Sequence, residues 1–198
     1  MNRLFIFVFA VALMLSAQNS LFAQRLIQNG EFSYVPVSQG RAILMKEIPL
    51  AFPNEPVNNY NKLKTWVKEN YTTDLLNSGI KYNTSANSVY VSSKIDLLLP
   101  LLDVSHVSAK AGMNYYMDVF LENGKCVVLF SDITYKLHNM NPPLSKKMKA
   151  EEFVTNEVLL INDEYKQQRS EVQKGTLHYF NNLVKNLEAA INRPVQSR

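Results

Sequence analysis

Cysteine is nearly absent from this chain: one thiol, Cys126, in 198 residues. No intramolecular disulfide can form, so the fold must be held by apolar burial alone. Histidine is scarce as well, and His106, His138 and His178 are too scattered for an HExxH or any paired-ligand spacing. Neither a metal nor a cofactor is expected. There is no glycine-rich phosphate loop, no GxSxG elbow and no CxxC pair, and the lack of any such signature argues against an enzyme. Long apolar runs are confined to one place, residues 4–15, preceded by Arg3 and followed by a more polar segment ending at Leu21, Phe22 and Ala23. About a dozen apolar residues fall short of the roughly 20 that a spanning helix needs, so the start of the chain reads as a cleavable secretory leader. Residues 1–23 are the expected leader, with Ala17 the alternative cut, and the mature chain starts near Gln24. A lipoprotein would carry its lipid on a cysteine at the cut. The only cysteine here lies far downstream, so the expected product is a soluble periplasmic or secreted protein with no stable membrane insertion.

Charge of one sign is not in large excess. The whole chain has 21 basic and 17 acidic side chains, and the leader takes away Arg3 alone, leaving 20 against 17, or +3. Nucleic-acid binders concentrate basic residues on one surface. The one dense cluster, Lys146, Lys147 and Lys149, is answered at once by Glu151 and Glu152 and reads as a solvated loop or helix end. No nucleic-acid partner is expected.

What is present is a pattern of strands and helices. Residues 32–37 and 42–48 are β-prone and read as one or two opening strands, and 51–56, with two prolines, reads as loop. A helix is predicted from Asn58 or Asn59, with Tyr60, Leu63, Trp66, Val67 and Tyr71 on its buried side and Lys62, Lys64, Lys68 and Glu69 facing water. Residues 79–82 and 88–98 look like paired strands around the turn 84–87. The connection 99–112 is expected to be irregular. Asn123 and Gly124 then mark a two-residue reversal, since both positions of a type I′ turn need positive φ. That reversal sets Glu122 opposite Lys125, and pairs Leu121 with Cys126, Val119 with Val128 and Met117 with Phe130 on one face. The other face carries Phe120 with Val127, Asp118 with Leu129, and Tyr116 with Ser131. Two apolar faces call for a second cover. The last helix, predicted behind Gly175 with Leu177, Phe180, Leu183, Val184, Leu187 and Ile191 in one stripe, is the candidate within the chain. Residues 151–173 stay ambiguous, with 157–161 able to serve as strand or buried helix.

From about Lys46 to Leu137 the chain resembles an uncharacterised family of exported Gram-negative bacterial proteins, a domain of unknown function with a fold like that of TATA-box-binding protein. Four features carry the resemblance: Tyr60 and Trp66 six residues apart with Tyr71 following, the strand Ile80, Lys81, Tyr82, the hairpin 116–125, and its continuation through Ser131, Asp132, Ile133, Thr134 and Tyr135. One departure is that Cys126 and Val127 stand where the family often has an aromatic residue and an arginine, so no role of that arginine carries over. The resemblance implies an α+β domain, 24–140, with a curved antiparallel sheet of about five strands packed on one amphipathic helix. Residues 141–198 form an extension whose helix docks on it. Likeness to a DNA-binding architecture does not transfer function.

Four chemical readings follow from the residues. Cys126 with a histidine would make a hydrolase, but the register places the thiol among apolar side chains, where it ionises poorly. Asp118 and Asp132, on neighbouring strands, are a carboxylate pair of the kind that does acid and base work; Asp132 falls at an expected kink of its strand, and a structural role is the simpler expectation. Tyr90, Tyr115, Tyr116 and Phe120 could stack on a sugar or peptide, or simply pack. The reading that combines export, two apolar faces and missing catalytic constellations is a non-enzymatic module that binds a protein, peptide or glycan through Tyr116, Phe120, Val127 and Leu129.

Overall fold

The computed structural model describes residues 28, 30–72, 77–99, 110–122, 124–138 and 147–194. The expected leader, His106 and Asn123 lie outside the described residues. Strands β1 (Val37–Ser38) and β2 (Arg41–Ala42) form a small hairpin. The main sheet is built from β3 (Leu44–Pro49), β4 (Ser78–Asn83), β5 (Ser88–Leu98), β6 (Lys110–Glu122), β7 (Lys125–His138) and β8 (Met148–Lys149). Helix α1 (Pro56–Tyr71) follows β3, and α2 (Ala150–Phe153), α3 (Asn156–Leu159) and α4 (Lys166–Ile191) close the chain. The sheet is open and antiparallel, in the order β3-β7-β6-β5-β4, with β8 also paired to β7. It has six strands where about five were expected.

Every pair anticipated across the reversal is present, from Glu122 with Lys125 through Leu121 with Cys126 to Tyr116 with Ser131. Gly124 holds φ 75, a left-handed conformation that glycine adopts without a side-chain clash. Beyond Tyr116 the register shifts, because Asp132 and Ile133 together sit opposite Tyr115. Asp132 has φ 49. This β-bulge turns the inward parity of β7 from Cys126, Val128 and Phe130 to Ile133, Tyr135 and Leu137, all buried.

Helix α1 buries the anticipated Tyr60, Leu63, Trp66, Val67 and Tyr71. Its start differs from the sequence reading: Pro56 opens the helix, and no asparagine side chain caps it. Proline suits a first turn because its missing N–H would have no helical partner there. Asn59 is buried instead, and its Nδ2 donates to the Phe52 carbonyl at 2.7 Å. Three further expectations need correction. Residues 32–36 are not a strand, and Phe32 and Val35 reach the core from irregular backbone. Strand β6 begins at Lys110, inside the stretch expected to be irregular. Residues 157–161 are neither strand nor buried helix, since α3 is a short turn capped by the Thr155 hydroxyl, with Leu160 and Ile161 exposed.

The largest correction concerns α4. It begins at Lys166, well ahead of Gly175, because a single glycine costs a long helix only about 1 kcal/mol. It also lies on the same sheet face as α1, not on the opposite one. Phe180 stacks on Phe130 with centroids 4.2 Å apart and meets Tyr115 edge-on at 5.2 Å. Thr176 bonds the Tyr135 hydroxyl at 3.0 Å. Two asparagines of this region grip the chain on either side of β3. Asn181 accepts from the Phe32 amide and donates to its carbonyl, and Asn192 accepts from Ala51 and donates to Pro49. Helices and sheet thus enclose one core, in which Leu44, Val89, Val91, Met113, Met117, Val119, Val128 and Phe180 are at most 1% exposed.

Replacing Phe180 with alanine removes the ring at the centre of this cluster and should cost about 3–5 kcal/mol in urea unfolding. Gly175→Ala should instead stabilise by about 0.5–1 kcal/mol, because the added methyl meets Leu99 at 3.5 Å, an ordinary packing distance.

Candidate functional site

With both long helices on one face, the other face of the sheet carries no helix among the described residues. Its side chains follow from the ladder. Tyr90 pairs with Asp118, Ser92 with Tyr116, Lys81 with Tyr90, Asp118 with Leu129, and Phe120 with Val127. The rings of Tyr90 and Tyr116 lie 5.4 Å apart at 34°, and the Lys81 ammonium sits 6.0 Å from the Tyr90 centroid. Of the four residues expected to bind, Tyr116 is 39% exposed, Phe120 and Leu129 are half-buried, and Val127 is 2% exposed. Val127 lies between Phe120 and Glu47 in register, and the Glu47 carboxylate pairs with Lys125 at 2.6 Å. Tyr115, also considered for stacking, is in the core: its hydroxyl bonds those of Tyr71 at 3.1 Å and Tyr179 at 2.8 Å. Burial pushes all three phenols well above the usual tyrosine range.

At the bulge the helix-free face opens into a cavity of about 570 Å³, lined in part by Ser92, Lys94, Asn114, Tyr116, Asp132 and Lys147. Its floor is the β5–β6–β7 part of the sheet, interrupted at the bulge, and Asn114 Nδ2 donates to the Thr134 hydroxyl at 3.4 Å. Desolvation holds the half-buried Asp118 carboxyl above its ordinary range. Tyr90 is raised too, by desolvation first and then by the Tyr116 hydroxyl and the carboxylates of Asp118 and Asp132. These four groups therefore share one electrostatic neighbourhood. Ser92, Lys94 and Asn114 carry no signal of their own in the sequence, and Lys147 reads there as part of a solvated cluster. Alternation along β5 puts Ser88, Tyr90, Ser92 and Lys94 on one side, but nothing local shows that β6 lies on the far side of β5 from β4.

Cys126 is fully buried on the helix-covered side, between Leu121 and Ile48 in register, and burial pushes its thiol up to about 12. His138 is twelve positions along the same strand, roughly 40 Å away. His178 is exposed on α4 and bonds Asn182 at 2.9 Å. Neither can serve the thiol as a base. Among the described residues there is no group of three or more side chains able to hold a metal ion, and no helix is long and apolar enough to cross a membrane.

This is the TBP-like α+β fold: an open antiparallel sheet with its helices to one side. The chain is similar to a TBP-like protein from Parabacteroides distasonis, with a TM-score of 0.70 and 21% identity over 81% of this chain and 99% of that one. It is similar also to a DUF4468 family protein from Bacteroides ovatus, with a TM-score of 0.68 and 17% identity over 85% of this chain and 96% of that one. No protein-family model and no curated protein matches the sequence. At these identities the likeness establishes the fold, in agreement with the resemblance drawn from the helix and hairpin motifs.

Two outcomes follow from the burial of these groups. The Cys126 thiol should react with a disulfide reagent only on denaturation, and rapid labelling of native protein would contradict its placement. A carboxyl raised by burial keeps its proton longer in the folded state, so it binds more protons there than in the unfolded chain. Stability is then lost as pH rises from about 4 through the raised value. Asp118→Asn should flatten that part of the curve and raise the neutral-pH melting temperature.

Proposed function

We propose that this protein is an exported, non-enzymatic binding module whose ligand surface is the helix-free face of the sheet. Residues 1–23 act as the leader, 24–140 as the sheet domain, and 141–198 as an extension whose helix docks on it. One observation carries the reading: both long helices seal the same side, leaving Tyr116 exposed beside Tyr90, with Phe120 and Leu129 half-buried. Paired aromatic rings on a rigid strand surface offer large contact area at little cost in side-chain entropy. The depth and raised pKa of Cys126 weigh against the alternative of a thiol hydrolase.

Two measurements test this. N-terminal sequencing of protein recovered from the cell envelope or medium should begin near Gln24, and recovery from the cytosol with Met1 intact would refute export. A photo-crosslinking amino acid at position 116 or 129 should give discrete adducts in intact cells. The same group at the exposed Lys185 of α4 should not. Equal labelling from both sides, or none from position 116, would refute a ligand on the open face.

A further inference from the structure

The cavity beside the Tyr90–Tyr116 pair has a definite chemical character. Its lining includes a hydroxyl at Ser92, an amide at Asn114, a phenol at Tyr116, a carboxylate at Asp132 and ammonium groups at Lys94 and Lys147. Those three charged side chains sum to +1. At about 570 Å³ it lies within the ordinary range for small-ligand sites.

The geometry at Asp132 separates this place from an ordinary patch of sheet. A non-glycine residue at φ 49 sits in the left-handed region, which is unfavourable for most side chains though aspartate is among the more tolerant. The bulge gives β7 one residue more than β6 at this point, so that Ile133 turns into the core while Asp132 is exposed and lines the cavity. Bulges and strained residues of this kind gather at ligand sites, where they re-aim a side chain.

Ligand class follows from what the cavity can and cannot offer. Apart from the bulge, its floor lies in the β5–β6–β7 ladder, where backbone amides and carbonyls are already paired, so it offers a peptide strand few of the main-chain bonds such ligands use. What remains are side-chain hydroxyl, amide and carboxylate groups beside an aromatic ring, suited to the vicinal hydroxyls and apolar ring faces of sugars. Two ammonium groups against one carboxylate favour a sugar that is itself an acid.

We propose that this cavity binds acidic, uronate-type oligosaccharides, with Tyr116 stacking on a ring, Asp132 and Asn114 bonding hydroxyls, and Lys94 and Lys147 pairing with carboxylates. This rests on the open-face reading above and gives that face a ligand class.

Calorimetry of the purified full-length protein with short oligogalacturonate and oligomannuronate tests it. Binding of at least one acidic oligomer is expected, at least tenfold weaker for its methyl-esterified counterpart. The same loss is expected in Tyr116→Ala and in the double variant Lys94→Ala, Lys147→Ala, each checked for an unchanged circular dichroism spectrum. Asp132→Gly accepts φ 49 without a Cβ, so it should keep the fold and still weaken binding. No heat with either acidic oligomer, or affinity unchanged in these variants, overturns the proposal. The two readings separate cleanly: adducts from position 116 in cells combined with no uronate binding would keep the open face as the ligand surface and remove the saccharide.

Discussion

The layout of this protein depends on the parity of one hairpin. A two-residue reversal between β6 and β7 decides which side chains of the two longest strands point together, and a slip of one position would exchange both faces of the sheet. Since β3, β5 and β8 all hydrogen-bond to these two strands, the error would propagate across the sheet. Cys126, Val128 and Phe130 on β7 and Met113, Tyr115, Met117 and Val119 on β6 must share a side before α1 and α4 have anything to bury.

The packing of α4 follows from that constraint. Phe180 finds the Phe130 ring and the Tyr115 edge on the one side where aromatic bulk is already concentrated. Asn181 and Asn192 fix the chain flanking β3 to the same helix. Hydroxyls within the packed layers bond one another: a chain of tyrosine hydroxyls joins α1, β6 and α4, and Thr176 meets Tyr135. The opposite face is left with a different composition, in which Tyr90, Tyr116 and Phe120 stand among Lys81, Lys94, Asp118 and small polar and aliphatic side chains. The extra residue in β7 opens a cavity there and brings a carboxylate to its wall.

Much of this was legible in the sequence. The apolar stripe of α1 and the hairpin register were read correctly to the residue, because each is set by local periodicity and by the φ demands of a two-residue turn. The change of inward parity in β7 is also written in its pattern, where Cys126, Val128 and Phe130 give way to Ile133, Tyr135 and Leu137. The start of α1 is not legible locally, because Pro56 reads as a breaker in the sequence and is the first residue of the helix in the structure. Gly175 likewise reads as the boundary before a helix start, yet it lies inside a helix long enough to absorb it. On the helix-free face, the common side of Tyr116, Phe120 and Leu129 follows from alternation in the sequence, whereas the meeting of Lys94, Asn114 and Lys147 does not, since they come together only through lateral pairing of distant strands.

By itself, then, the sequence determined the elements and the inward side of each one, because turn chemistry and the two-residue and 3.6-residue periods act over a few neighbouring residues. Only the tertiary structure decided which side of the sheet α4 would cover. Its apolar stripe is compatible with either face, and the choice is made by the fit of Phe180 against Phe130 and Tyr115, residues fifty and sixty-five positions away along the chain. That choice leaves the Tyr90 and Tyr116 side of the sheet free of helix among the described residues.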